Sequence, residues 1–169
     1  MVTIRAAAKL LRTLGTADPA PPPPSTLLGD WYATIVRKRH RHVVLAIAGT
    51  TLLPVVVPAR EIKTLVPRLT AGLVEVLRSL EVPAADIACE IAAMAEWRIA
   101  KTDDRSTVGV LMNLAQQLEF YIEDVPDLDE LTLSLKLADT PITARDLIPV
   151  PATCELFGVE RPAYWRRSH

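Results

Sequence analysis

The spacing of hydrophobic and polar positions changes several times along the chain, and each change marks an element. Trp31–Arg37, His42–Ala48 and Leu52–Val57 are rich in Val, Ile, Thr, Tyr and Trp, residues that fit a pleated surface. The breaks at Lys38–Arg41 and Gly49–Thr51 are short enough for antiparallel hairpins. Along the middle strand Val43, Leu45 and Ile47 point one way, and Val44, Ala46 and Ala48 the other. Both faces are therefore apolar, one lined by smaller side chains, so the sheet needs cover on both faces or cover on one and a partner on the other. Pro54 cannot donate to a ladder, which places the third strand at an edge or gives it a bulge.

Elsewhere the period is mostly helical. Ile4, Ala7, Ala8, Leu11 and Leu14 predict a helix over Ile4–Leu14, with Gly15 as its stop. Ile62, Leu65, Val66, Leu69, Leu73, Val76, Leu77 and Leu80 trace one stripe across Arg60–Leu80, the expected cover for the meander. Pro67 predicts an irregular first turn there. Ala84–Met94 reads as a shorter helix, Trp97–Lys101 as a short strand, and Ser106–Ile122 as a helix burying Val108, Leu111, Met112, Ala115, Leu118 and Ile122. Leu131, Leu133, Leu135 and Leu137 alternate with Thr132, Ser134 and Lys136, which predicts a half-exposed strand. The fold class that follows is α+β: a three-stranded antiparallel meander extended by two further strands into a mixed sheet, packed by three to four helices. We expect one domain over residues 1–145, with a Pro-rich spacer at 17–27 inside it, and a C-terminal extension over 146–169.

Composition narrows the function classes. Half of the 169 residues are hydrophobic, 23% are charged and the formal net charge is −1. That balance gives no global pull toward nucleic acid or an anionic membrane, so any such role needs a local patch. No apolar run reaches the ~18 residues of a membrane span. Cys89 and Cys154 lack a metal-type spacing and read as reduced thiols. The expectation is a cytoplasmic protein without a cofactor.

Candidate chemistry is sparse. Arg37, Lys38, Arg39 and Arg41 concentrate four cations at one hairpin tip, a loop able to contact phosphates or merely to keep an apolar sheet soluble. Four phosphate contacts would give a salt slope of roughly −3.6, about a hundredfold loss of affinity from 50 to 200 mM salt. His40 and His42 have no third ligand nearby and cationic neighbours, which opposes a divalent ion. Asp103, Asp104, Arg105 and Ser106 precede a helix and read as its cap, with Arg105 pairing a carboxylate. Asn113 falls beside the apolar stripe of that helix and would need hydrogen-bond partners if buried. Asp30, Glu61 and Lys63 echo a nuclease carboxylate–lysine element, in a pattern too short to be specific. No G-x-S-x-G, P-loop, G-x-G-x-x-G or HExxH motif occurs.

Three stretches together carry a resemblance: Ile4–Leu14 followed by Gly29-Asp30-Trp31-Tyr32-Ala33, Thr51-Leu52 running to Pro58, and Thr102–Gly109 with Met112-Asn113 and then Leu137–Pro141. They are similar to an uncharacterised bacterial family of domains of unknown function, over most of residues 1–145. The resemblance marks Asp30, Trp31, Tyr32, Arg105, Ser106, Gly109 and Asn113 as motif positions without a known role. It implies a single domain and no mechanism; Asp104 stands where such sequences typically have Asn, which weakens any role requiring the amide. The residues favour a non-catalytic interaction module, binding a protein partner or a second copy of itself. A nucleic-acid-binding role through the basic hairpin is the first alternative, and a metal-dependent hydrolase or nuclease the second.

Overall fold

The computed structural model of the chain describes residues 1–168. One open, mixed, five-stranded sheet forms its centre. Three of its strands, numbered in chain order, are the meander: β2 (Trp31–Lys38), β3 (Arg41–Ala48) and β4 (Pro54–Pro58). Both of their pairings are antiparallel. Pro54 opens β4, which is an edge strand as its missing N–H requires. The β2–β3 turn is only Arg39 and His40, because Lys38 already pairs with Arg41. Arg39 adopts φ 53, the positive value that a primed hairpin turn imposes.

Of the other two strands, one is the expected short strand Trp97–Lys101 and one corrects the expected composition of the sheet. Residues 2–6 form β1 (Val2–Ala6), not the first turns of a helix, and only Ala8–Leu14 is helical (α1). Strand β1 lies between β2 and β5 (Trp97–Lys101) and is parallel to both. The strand order is therefore β4-β3-β2-β1-β5. Val2, Ile4 and Ala6 face one side, while Thr3 and Arg5 face the other. The helical spacing of Ile4, Ala7, Ala8, Leu11 and Leu14 overlaps this short alternation and conceals it.

The second correction is Leu131–Leu137, which is helical within α5 (Glu130–Ala138). Asp129 caps it, its Oδ1 accepting the Thr132 N–H at 2.7 Å. The leucine alternation has a helical explanation, since residues two apart stand about 200° apart around a helix. Leu133 and Leu137 enter the core on one side of the sheet, and Leu131, Leu135 and Ala138 reach the core on the other. A helix seated at the β4 edge meets both layers and needs two apolar stripes. Between the stripes, Ser134 Oγ accepts the Val56 N–H of β4 at 2.8 Å and donates to Glu130 O at 2.7 Å. That closes part of the edge which Pro54 only begins to blunt.

Helix α4 (Arg105–Asp124) covers the sheet face carrying Tyr32, Val36, Val43, Leu45 and Ile47. Helix α2 (Leu65–Ser79), preceded by a 3₁₀ turn at Ile62–Thr64, covers the smaller-residue face. Pro67 lies in its first turn, as its missing N–H allows. Gly72 permits the close approach: a Cβ there would stand 3.0 Å from Val55 Cγ1 and 3.1 Å from Val57 Cγ1.

Helix α3 (Ala84–Ala93) places Glu90 at 3% exposure, its two carboxylate oxygens accepting the Leu27 and Leu28 N–H groups at 2.9 and 3.0 Å. This anchor ends the Pro-rich stretch. That stretch is also held where Asp18 N–H meets Ile99 O of β5 at 2.7 Å and Ser25 N–H meets Met1 O at 2.9 Å. The stretch is thus tied at one end to β5 and at the other to the residue that precedes β1. Residues 146–168 include α6 (Pro149–Leu156) and α7 (Ala163–Ser168), from which Val150, Cys154 and Trp165 enter the α2-side core. His169 lies outside the described residues.

Candidate functional site

The long helix α4 and the loop before it gather most of the motif positions. Asp30 directly precedes β2 and is 8% exposed. Its Oδ1 accepts the Thr3 N–H at 3.0 Å and its Oδ2 accepts Arg5 Nε–H at 2.9 Å. The same guanidinium reaches Asp103 Oδ2 at 2.8 Å, and Tyr32 Oη donates to Asp103 Oδ1 at 2.5 Å. Burial and the neighbouring Asp103 carboxylate together hold the Tyr32 phenol well above its ordinary pKa. Arg5, Asp30, Tyr32 and Asp103 therefore form one network tying β1, β2 and the end of β5 to the start of α4. Both carboxylates are engaged by partners of the same chain, Asp30 in a buried position and Asp103 at the surface.

A second network begins one residue later. Asp104 caps α4, accepting from Ser106 N–H at 2.9 Å and Thr107 Oγ1–H at 2.5 Å. Arg145 reaches over to Asp104 Oδ2 at 2.8 Å, Ser106 Oγ at 3.1 Å and Thr107 Oγ1 at 3.1 Å. The Thr107 hydroxyl, the helix N–H groups and Arg145 push the Asp104 pKa below the usual carboxylate range. Ser106 thereby takes part in the hydrogen bonds of the helix start through both its N–H and its Oγ. Trp31 is wholly buried on the opposite face of the sheet.

The remaining motif positions point outward. Arg105, Gly109 and Asn113 are exposed at i, i+4 and i+8 of α4, and the same side continues through Met112, Gln116 and Phe120. Contrary to expectation, Arg105 makes no ion pair among the described residues. Asn113 is exposed, so burial imposes no demand for partners on it. Met112, expected in the buried stripe, is 41% exposed, and Phe120 is 61% exposed. The buried stripe is rotated from the expected one and uses Thr107, Val110, Leu111, Leu114, Ala115, Leu118 and Ile122. Beside the exposed side runs a groove of about 280 Å³ between α4 and residues 140–144, lined among others by Asn113, Gln116, Gln117, Phe120 and Thr140.

The basic hairpin divides into two halves. Lys38 Nζ pairs with Glu123 at 3.0 Å, and Arg41 pairs with Glu130 at 3.0 Å while also donating to Pro126 O at 3.1 Å. Lys38 depresses the Glu123 pKa. Arg37 and Arg39 are exposed and make no ion pair among the described residues. Two such cations would give a salt slope of roughly −1.8, about a twelvefold affinity change between 50 and 200 mM salt.

Asp30 and Glu61 are not brought together. Asp30 is engaged by Arg5 on the α4 side of the sheet, whereas Glu61 and Lys63 lie exposed ahead of α2 on the other side. Among the described residues, no group of three or more His, Cys, Asp or Glu side chains is placed to hold a metal ion. No helix among them is long and apolar enough to cross a membrane.

Sequence reasoning misses Arg5, Asp103 and Arg145 as network members, because helical spacing claims Arg5 and Arg145 lies in a stretch without periodicity. Phe120 is legible: it stands on the far side of α4 from Leu111, Leu114 and Leu118, and a projection at 100° per residue shows it. No curated protein and no solved structure matches the chain. One family profile does match, over residues 3–149, and by that match the protein belongs to the family of the domain of unknown function DUF6933.

Proposed function

We propose that the protein is a non-catalytic binding module whose contact surface is the outer side of α4. The observation that carries this reading is the exposure of Phe120 and Met112 on a helix that otherwise buries its apolar residues. An aromatic ring left in water forgoes the roughly 1.5–3 kcal/mol that full burial supplies. Exposed aromatic and Met side chains are typical of interface centres. Asn113, Gln116 and Gln117 beside them offer amides, each both donor and acceptor, for a polar rim. The Arg5–Asp30–Tyr32–Asp103 network supports the same reading, since it holds the base of α4 to the sheet and gives this surface a rigid platform.

The reading is tested by placing a photo-reactive benzophenone side chain at Gln116, and at Lys63 as a control on the opposite side of the sheet. Irradiation in the producing cells should give discrete adducts at position 116 and few at 63. Equal or absent adducts at the two positions would overturn it.

A further inference from the structure

We infer that the occupant of this surface is a second copy of the chain, with α4 packed antiparallel against α4 about a two-fold axis. The inference rests on the binding-module reading above and names its partner.

Four features of α4 point to self-pairing. First, an axis crossing the helix between Leu114 and Ala115 sets several exposed positions against complementary ones. Gly109 then faces Phe120 of the second copy, Asn113 faces its Gln116, Met112 faces its Gln117, and Arg105 faces its Asp124. A ring meets a position without a side chain, amides meet amides, and a cation meets a carboxylate.

Second, Gly109 has no reason within its own chain. Its φ is not positive, and a Cβ built there meets nothing within 4 Å. Glycine inside a helix costs roughly 0.5–1 kcal/mol relative to Ala, and only close approach by something outside the chain puts that bare backbone to use.

Third, the charges of α4 run against its own dipole. Beyond the Asp104 cap, no acidic residue stands in the first turn and no basic residue in the last. Arg105 is at the positive end, with Glu123 and Asp124 at the negative end. An isolated helix favours the reverse, but an antiparallel copy brings each end opposite its complement. Arg105 and Asp124 make no ion pair among the described residues, whereas Glu123 is already held by Lys38.

Fourth, the dimensions suit a modest dimer. Twenty residues give a helix about 30 Å long, and a strip about 12 Å wide along it has an area on the order of 400 Å² per copy. That is below the roughly 800 Å² per partner of a standard interface, so association at micromolar or weaker affinity is expected.

Sedimentation equilibrium of the full chain from about 10 to 500 µM reads the outcome. The protein should show a reversible monomer–dimer equilibrium. R105E and D124R should each weaken it at least about tenfold, because each places like charges together at both symmetric contacts. An equimolar mixture of the two variants should restore dimerisation to within about threefold of the parent, since the carboxylate introduced in one then meets the guanidinium introduced in the other. Gly109→Leu should weaken the dimer without lowering the melting temperature, which separates blocked approach from misfolding. A chain that stays monomeric at 500 µM, or a mixture that fails to restore the dimer, overturns the inference. Adducts from position 116 to a different protein, with a monomeric chain, would remove the second copy while leaving the binding module standing. No adducts and no dimer would remove both.

Discussion

Replacing Asp30 tests whether the network at the base of α4 carries structural weight. Asp30→Ala removes both acceptors that this side chain supplies. The Thr3 N–H, in a residue with no exposed surface, loses its 3.0 Å partner; a buried orphan donor costs roughly 1–3 kcal/mol. Arg5 loses its 2.9 Å bond to Asp30 but keeps Asp103 at 2.8 Å, so the guanidinium is not stranded. A charge-assisted hydrogen bond contributes about 1.5–3 kcal/mol, and the surviving partner places this loss at the lower end. The sum is about 3 kcal/mol, equivalent to roughly 6–12 °C in melting temperature for a domain of this size. Asp30→Asn keeps an oxygen for Thr3 while removing the charge facing Arg5, and should cost about half as much. Equilibrium urea unfolding, with the m-value checked for constancy, measures both. A loss below about 1 kcal/mol for Asp30→Ala at unchanged m would show that the network is incidental to folding, and the rigid-platform argument for α4 would fall with it.

Ser134→Ala leaves the Val56 N–H of the β4 edge without its 2.8 Å acceptor and should lower stability by about 2 kcal/mol in the same assay; no change would mean that the edge is satisfied otherwise. Acid sensitivity should trace partly to Asp104 and Asp129, whose pKa values are lowered by the Thr107 hydroxyl and by the Thr132 N–H respectively. Carboxylates with depressed folded values stabilise the fold above their unfolded pKa near 3.9, and that stability is lost as the pH falls below about 4. Asp104→Asn should therefore flatten the unfolding free energy between about pH 5 and 3, and a profile identical to the parent's would refute the assignment. Arg39→Gly relieves a left-handed residue at φ 53 in the β2–β3 turn and should raise stability by about 1 kcal/mol; a decrease in melting temperature would show that the arginine side chain outweighs its backbone strain.

For the meander and for helix α2, where one period served one purpose, the amino-acid sequence was sufficient. The meander is legible because β2, β3 and β4 are bounded by short turns and packed on both faces, so propensity, pattern and turn length agree. Helix α2 is legible because a single stripe faces a single layer, and Asp104 because a cap is a local interaction spanning three residues. Tertiary structure decided the rest. Whether Val2–Ala6 extends as a strand depends on β2 and β5 lying on either side of it. Those partners are remote in the chain, since Ile4 pairs with Trp31 and Val2 with Trp97. The four leucines of Leu131–Leu137 fit either a strand with one buried face or a helix touching two cores. Only the position of α5 at the sheet edge distinguishes these, because there the two apolar stripes have two layers to enter. The same distance in sequence hid the Arg5–Asp30–Asp103 network: ionic partners are chosen by where strands end in space, and no local spacing records that.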